Sequence, residues 1–127
     1  MPERYLYEYA VIRLVPRVER EEFMNIGVTL FCSKQEFLQT VFEIPEKRLI
    51  SFGADLDFRE LREYLHAFEK ISKGGTAGGP IGMLPIAERF RWLTAKRSTV
   101  LQTSPVHPGL CINAGDTLMR LHKQLVL

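Results

Sequence analysis

Residues 5–15 read Tyr5-Leu-Tyr-Glu-Tyr-Ala-Val-Ile-Arg-Leu-Val15, and Pro16 ends the run. The stretch is rich in aromatic and β-branched residues, which suit a pleated and partly buried surface, so it predicts a long strand. Alternation divides its side chains into two faces. Leu6, Ala10, Ile12 and Leu14 share one; Tyr5, Tyr7, Tyr9, Val11 and Arg13 share the other. Both faces are largely apolar. A strand wet on one side would show a polar face, so this pattern predicts a central strand with a layer packed on each side.

The flanking chain supplies the rest of the sheet. Residues 17–23 are a charged connection. From Asn25 to Cys32, alternation puts Ile26, Val28, Leu30 and Cys32 on one face of a second strand. Gly27 inside it signals a bulge or a close backbone approach. Ser33 to Glu36 is a polar turn, and Phe37 to Ile44 is a third strand, so the two form a hairpin closed by Pro45. Residues 46–53 carry no assignable pattern.

Residues 55–72 carry the clearest helix, with Phe58, Leu61, Leu65 and Phe68 in one stripe that Tyr64 and Ile71 widen. Asp57 with Glu60 three residues on resembles a capping box, and Asp55 is an alternative cap. Lys70 and Lys73 suit the negative end of the helix dipole, and Gly74-Gly75 stops the helix. A Gly-rich stretch over residues 74–84 reads as a flexible connector. A second helix over residues 85–95 turns Ile86, Phe90 and Leu93 inward. Residues 98–104 alternate as a fourth strand, 104–109 read as a loop, and Asn113 with Asp116 opens a last helix with Leu118, Leu121 and Leu125 inward. The order β-β-β-α-α-β-α predicts an α+β fold, a mainly antiparallel four-stranded sheet covered by helices. Ile12, Val28, Leu30, Leu61, Leu65 and Phe90 are its expected core.

Composition fits one ordinary domain over residues 1–127. The chain is 46% hydrophobic and 25% charged, which argues against a disordered, collagen-like or coiled-coil chain. Its net charge of +2 is too small for a strong field toward nucleic acid or an anionic membrane. No apolar run reaches the roughly 18 residues of a membrane span, and no apolar signal core follows the first residues. Cys32 and Cys111 are the two cysteines, and no CxxC is present, so neither a disulfide scaffold nor secretion is indicated. A cytoplasmic protein is expected.

Chemistry-bearing motifs are sparse. The Gly-rich stretch lacks GxxxxGK[ST] and follows a helix rather than a strand, so it does not read as a phosphate loop. His107 and Cys111, with Cys32, fall short of the four ligands a closed zinc site takes, and no metal is expected. Ser104 and His107 lie three apart in the predicted loop, without a G-x-S-x-G elbow, which is weak ground for a nucleophile. His66 and His122 read as solvated or partly packed. Glu19, Glu21 and Glu22 alternate with Arg17 and Arg20, which favours a solvated, self-neutralising face over a cation site. Arg13 ends an otherwise apolar strand face, and Glu19, Glu22 or Glu43 is its expected ion-pair partner.

The segment Glu88-Arg-Phe-Arg-Trp-Leu-Thr-Ala-Lys-Arg97 carries more. Arg89, Arg91, Lys96 and Arg97 against Glu88 give it a local charge of +3, with Trp92, the single tryptophan, among them. Arg and Trp are enriched at interface anchors. A basic stretch with an aromatic can also hold phosphate or stack a base. The structural alternative is a surface helix with Trp92 at the edge of the core.

Three runs carry a family resemblance: residues 7–28 from Tyr7 to Val28, Glu88-Arg-Phe-Arg-Trp-Leu93, and Arg97-Ser-Thr-Val-Leu-Gln-Thr-Ser-Pro-Val-His-Pro-Gly109. Together they resemble the bacterial domain-of-unknown-function family 3037, over most of the chain. No activity, cofactor or catalytic residue comes with that resemblance. It implies a small bacterial protein acting with a partner, since family members are encoded beside HipA-like kinases, in a toxin–antitoxin-like or stress setting. If strands one and four are antiparallel neighbours, the shared positions Arg13, Glu22, Asn25, Arg97, Ser98 and His107 gather into a polar cluster at one end of the sheet. The expected function is a non-catalytic module with a protein partner and no cofactor. Nucleic-acid or nucleotide binding through Arg89, Arg91, Trp92 and Lys96 is the alternative, and membrane association is not expected.

Overall fold

The computed structural model describes residues 2–15, 23–51, 57–97 and 100–127. Strand β1 (Tyr5–Leu14) lies at the centre of an antiparallel sheet, paired on one side with β2 (Met24–Cys32), which in turn pairs with β3 (Phe37–Phe42). On its other side β1 pairs with two short strands, β4 (Leu101–Thr103) and β5 (His107–Cys111). The class is α+β, with a fifth strand beyond the four expected.

Both faces of the sheet are covered, as the two apolar faces of β1 require. Helix α1 (Glu46–Ser51), helix α2 (Phe58–Lys73), a one-turn helix α3 (Gly79–Gly82) and helix α4 (Ile86–Leu93) follow β3. On the α2/α4 side, Ile12, Leu14, Phe31 and Leu101 of the sheet pack with Leu61, Leu65, Phe68, Phe90 and Leu93. Helix α5 (Ala114–Leu125) covers β2 and β3 on the other side, where Val28, Leu30 and Cys32 meet Ala114, Leu118 and Leu121. All six expected core residues are buried.

One face assignment is overturned. The β1–β2 register slips between Ile12 and Arg13: Ile12 opposes Gly27, but Arg13 opposes Asn25. The extra residue, Ile26, rotates away from Val28 and Leu30 and enters the α2/α4 core. Gly27 is required beside it. A Cβ there would stand 2.6 Å from the Val41 carbonyl oxygen and 2.9 Å from the Phe42 Cβ.

The segment expected to be a loop over residues 104–109 holds the start of β5. Pro105 and Pro108 mask the strand pattern, yet this is a sheet edge, where proline is tolerated. Ser104 bridges the break between β4 and β5. Its amide donates to the Val11 carbonyl (2.8 Å), and its Oγ accepts from the Val11 amide (2.9 Å), replacing a missing ladder carbonyl. The same hydroxyl donates to the Pro105 carbonyl at 2.9 Å, so Ser104 is a structural residue rather than a nucleophile.

Helix ends follow the sequence signals. Asp57 caps α2 through the Glu60 amide at 3.1 Å, Gly74 ends it at φ 81°, and Asn113 caps α5 through the Asp116 amide at 2.9 Å. Asp55, the alternative cap, lies outside the described residues. The Gly-rich stretch is folded rather than a free connector: a 3-10 turn (Thr76–Gly78) runs into α3, and the Gly75 amide donates to the Gly82 carbonyl at 2.8 Å.

Candidate functional site

The sheet splits the predicted polar cluster. Strands β1 and β4 are antiparallel neighbours, as the cluster requires, but Arg13 and Arg97 fall on opposite faces. Asn25, opposite Arg13, donates its side-chain amide to the Leu125 carbonyl of α5 at 3.1 Å, which puts both residues on the α5 side. Arg97 lies on the other side, 5.6 Å from the Phe68 ring of α2. His107 opposes Tyr9, with ring centroids 5.4 Å apart. Four residues of strand, about 13 Å, separate it from the level of Arg13. Glu22 and Ser98 lie outside the described residues, as do Glu19, Glu21 and the basic residues Arg17 and Arg20.

Arg13 does not form the expected ion pair with Glu43. Its guanidinium lies 4.2 Å over the Phe23 ring, and its Nε is buried without a hydrogen-bond partner among the described residues. Asn25 Oδ1 and His122 Nδ1, on the same side of the sheet, are also buried without one among the described residues. His122 is 7% exposed, buried rather than solvated or partly packed, because it lies four residues after Leu118 and three before Leu125 on the inward face of α5. Burial holds its pKa below the ordinary 6.5, and Glu43 opposes that shift only in part. The folded chain therefore favours neutral imidazole, and the unfolded chain takes the proton first. Stability from this group is intact above pH 6.5 and declines as pH falls through 6.5 toward the depressed folded value. Melting curves of wild type and His122→Gln at stepwise lower pH are expected to converge, because the variant lacks this loss. Parallel curves across that window would show that His122 carries no linkage.

The basic segment also divides. Arg89 turns inward: Nη1 donates to the Ile71 and Ser72 carbonyls (2.9 and 2.8 Å), and Nε to the Leu84 carbonyl at 3.0 Å. It thus caps the carbonyl end of α2 with a cation. Arg97 caps α4 in the same way, donating to the Leu93 carbonyl at 3.0 Å and the Trp92 carbonyl at 2.6 Å. Its guanidinium lies 4.6 Å over the Trp92 ring, and burial lowers its pKa. Arg91 and Lys96 remain exposed.

Trp92 is 39% exposed and stands beside a cleft of about 620 Å³. Leu14, Leu61, Phe68, Ile71 and Leu101 supply its buried apolar lining. Tyr64 and Val100 join Trp92 as exposed apolar groups, at 55% and 43%. Asp57, Glu60 and Arg97 are its charged residues. The volume and the few polar groups match the general character of binding pockets. Tyr64 and Val100 were not singled out by sequence. The signal for Tyr64 was present: its place in the α2 stripe makes that stripe wider than packing on a sheet needs.

The cysteines are structural. Cys32 and Cys111 are free and buried on the α5 side, and burial, with Cys32 close by, pushes the Cys111 thiol up, away from reactive thiolate. Among the described residues no three His, Cys, Asp or Glu side chains gather as metal ligands, and no helix is long and apolar enough to cross a membrane.

No curated protein and no solved structure matches the chain. The model of the family of unknown function DUF3037 matches residues 9–126, nearly the whole length, and the chain belongs to that family.

Proposed function

We propose that this protein is a non-catalytic, cytoplasmic interaction module of a bacterial complex, and that it docks a protein partner at the cleft between α2 and the end of α4. The observation that carries the reading is the exposed Trp92, with Tyr64 and Val100, beside a buried apolar lining. Aromatic and arginine side chains around a desolvated pocket are the usual anchors of protein interfaces. A HipA-like kinase, the partner the family resemblance implies, is the first to test.

Nucleic-acid binding is the second reading. It is weakened because two of the four cations in the basic segment, Arg89 and Arg97, already hold backbone carbonyls. That leaves Arg91 and Lys96 as its exposed cations.

The test is affinity for a co-expressed HipA-like kinase, with Trp92→Ala as the variant and its melting temperature as the folding control. Loss of the anchor is expected to weaken binding by about 2 kcal/mol, roughly 30-fold, with little change on adding salt. Unchanged affinity in a folded Trp92→Ala protein overturns docking at this cleft. Binding to mixed DNA and RNA that falls steeply with salt, and is lost in Arg91→Ala/Lys96→Ala, favours the second reading instead.

A further inference from the structure

We infer that the segment accepted by this cleft is bipolar: apolar side chains flanked by a carboxylate that meets Arg97 and by a cation, roughly 12 Å away, that meets Asp57 and Glu60. The inference rests on the docking reading and adds the chemistry of the partner.

The cleft follows one side of α2, from Asp57 and Glu60 at its N-terminal end to Phe68 and Ile71 near its C-terminal end. Arg97 lies against Phe68. Eight residues separate Glu60 from Phe68, about 12 Å along a helix axis. The charged ends are therefore apart, with apolar lining between them.

Both ends have capacity left. A guanidinium has five N–H donors; Arg97 donates to the Leu93 and Trp92 carbonyls and meets no carboxylate among the described residues. Between the Trp92 and Phe68 rings its charge is partly desolvated, which strengthens attraction to an arriving carboxylate. At the other end Asp57 accepts the Glu60 amide, and Glu60 accepts the Tyr64 hydroxyl at 3.1 Å. Neither carboxylate meets a cation among the described residues, whereas Glu46 pairs with Arg62, Glu63 with Arg59 and Glu69 with Lys73. An occupant with two negative ends suffers repulsion at Asp57 and Glu60, and one with two positive ends suffers it at Arg97. A charge of each sign satisfies both. In an extended segment, 12 Å corresponds to about four residues.

Trp92, the single tryptophan, reports occupancy directly by its fluorescence. The probes are ω-aminooctanoate and octanedioate, which share a chain length and differ in the charge at one end. A third probe is the acetylated, amidated pentapeptide Lys-Ala-Leu-Ala-Glu, whose Lys, Leu and Glu side chains share one face of an extended segment. ω-Aminooctanoate is expected to bind about tenfold tighter than octanedioate, and Glu60→Lys, which leaves Asp57 beside a cation and that end near neutral, is expected to abolish the preference. Glu60 is exposed, so this variant carries the test without the loss of a helix cap that Arg97→Met brings. The pentapeptide is expected to bind more tightly than ω-aminooctanoate. The reverse order points to a small zwitterion and overturns a protein segment as the occupant. No Trp92 response, or a preference that Glu60→Lys leaves unchanged, overturns the bipolar cleft. In that case a kinase complex sensitive to Trp92→Ala still leaves the docking reading standing, so the two failures are distinguishable.

Discussion

Truncation of the α2 core, Leu65→Ala, is expected to destabilise the protein by about 2–5 kcal/mol. Leu65 is fully buried, at the middle of the helix, in the cluster that joins Ile12, Leu14 and Phe31 of the sheet to Phe90 and Leu93 of α4. Removing three carbon atoms there loses their transfer free energy and leaves a cavity. Neighbours on two helices and a sheet cannot all collapse into it, which places the cost above that of a surface truncation. The effect extends to the cleft, because Leu61 and Phe68 of the same core also line it. Urea unfolding checks the magnitude through the midpoint at an unchanged slope. A midpoint within error of wild type would mean that this stripe of α2 does not face the core.

That stripe was legible because helical periodicity and burial agree along α2, from the Asp57 cap to the Gly74 stop. β1 was legible for a related reason: two apolar faces in one strand require two covering layers, and the structure has both. Strand β5 was hidden by Pro108 and by Pro105 just before it, whose missing amides signify a loop until the segment is known to lie on an edge. The bulge left only a hint, Gly27. Alternation read straight through it put Ile26 on the wrong face, since one inserted residue inverts the pattern beyond it.

The candidate site was less legible than the fold. A cluster argued from strand ends ignored the thickness of the sheet, so Arg13 and Arg97 were brought together in sequence terms while the sheet holds them apart. Trp92 stands out in sequence as the single tryptophan of a basic segment, but its neighbours in the cleft come from α2, β1, β4 and the chain before β4. Such long-range assembly leaves no local motif. A count of charges likewise cannot separate an arginine facing solvent from one folded back on helix carbonyls.

Arg89 against Arg91 puts that distinction to the test. Arg89→Met keeps much of the apolar stem but removes the guanidinium that holds the Ile71, Ser72 and Leu84 carbonyls. Hydrogen bonds from a charged donor contribute about 1.5–3 kcal/mol each, and water can replace part of what is lost at a partly exposed site, so the expected cost is about 2–4 kcal/mol. Local geometry reinforces the role. Gly74 turns at φ 81°, and a Cβ on it would stand 2.7 Å from Arg89 Nη1, so the backbone at the end of α2 is shaped around this guanidinium. Arg91 is exposed, and Arg91→Met is expected to change stability by no more than about 0.5 kcal/mol. The measurement is a pair of urea midpoints, with binding to nucleic acid read on the same samples. Equal and small shifts would show that the α2 cap is not maintained by Arg89. A large shift for Arg89→Met alone would mean that any binding lost with it reflects unfolding, so that Arg91 and Lys96 become the positions at which a phosphate contact has to be sought.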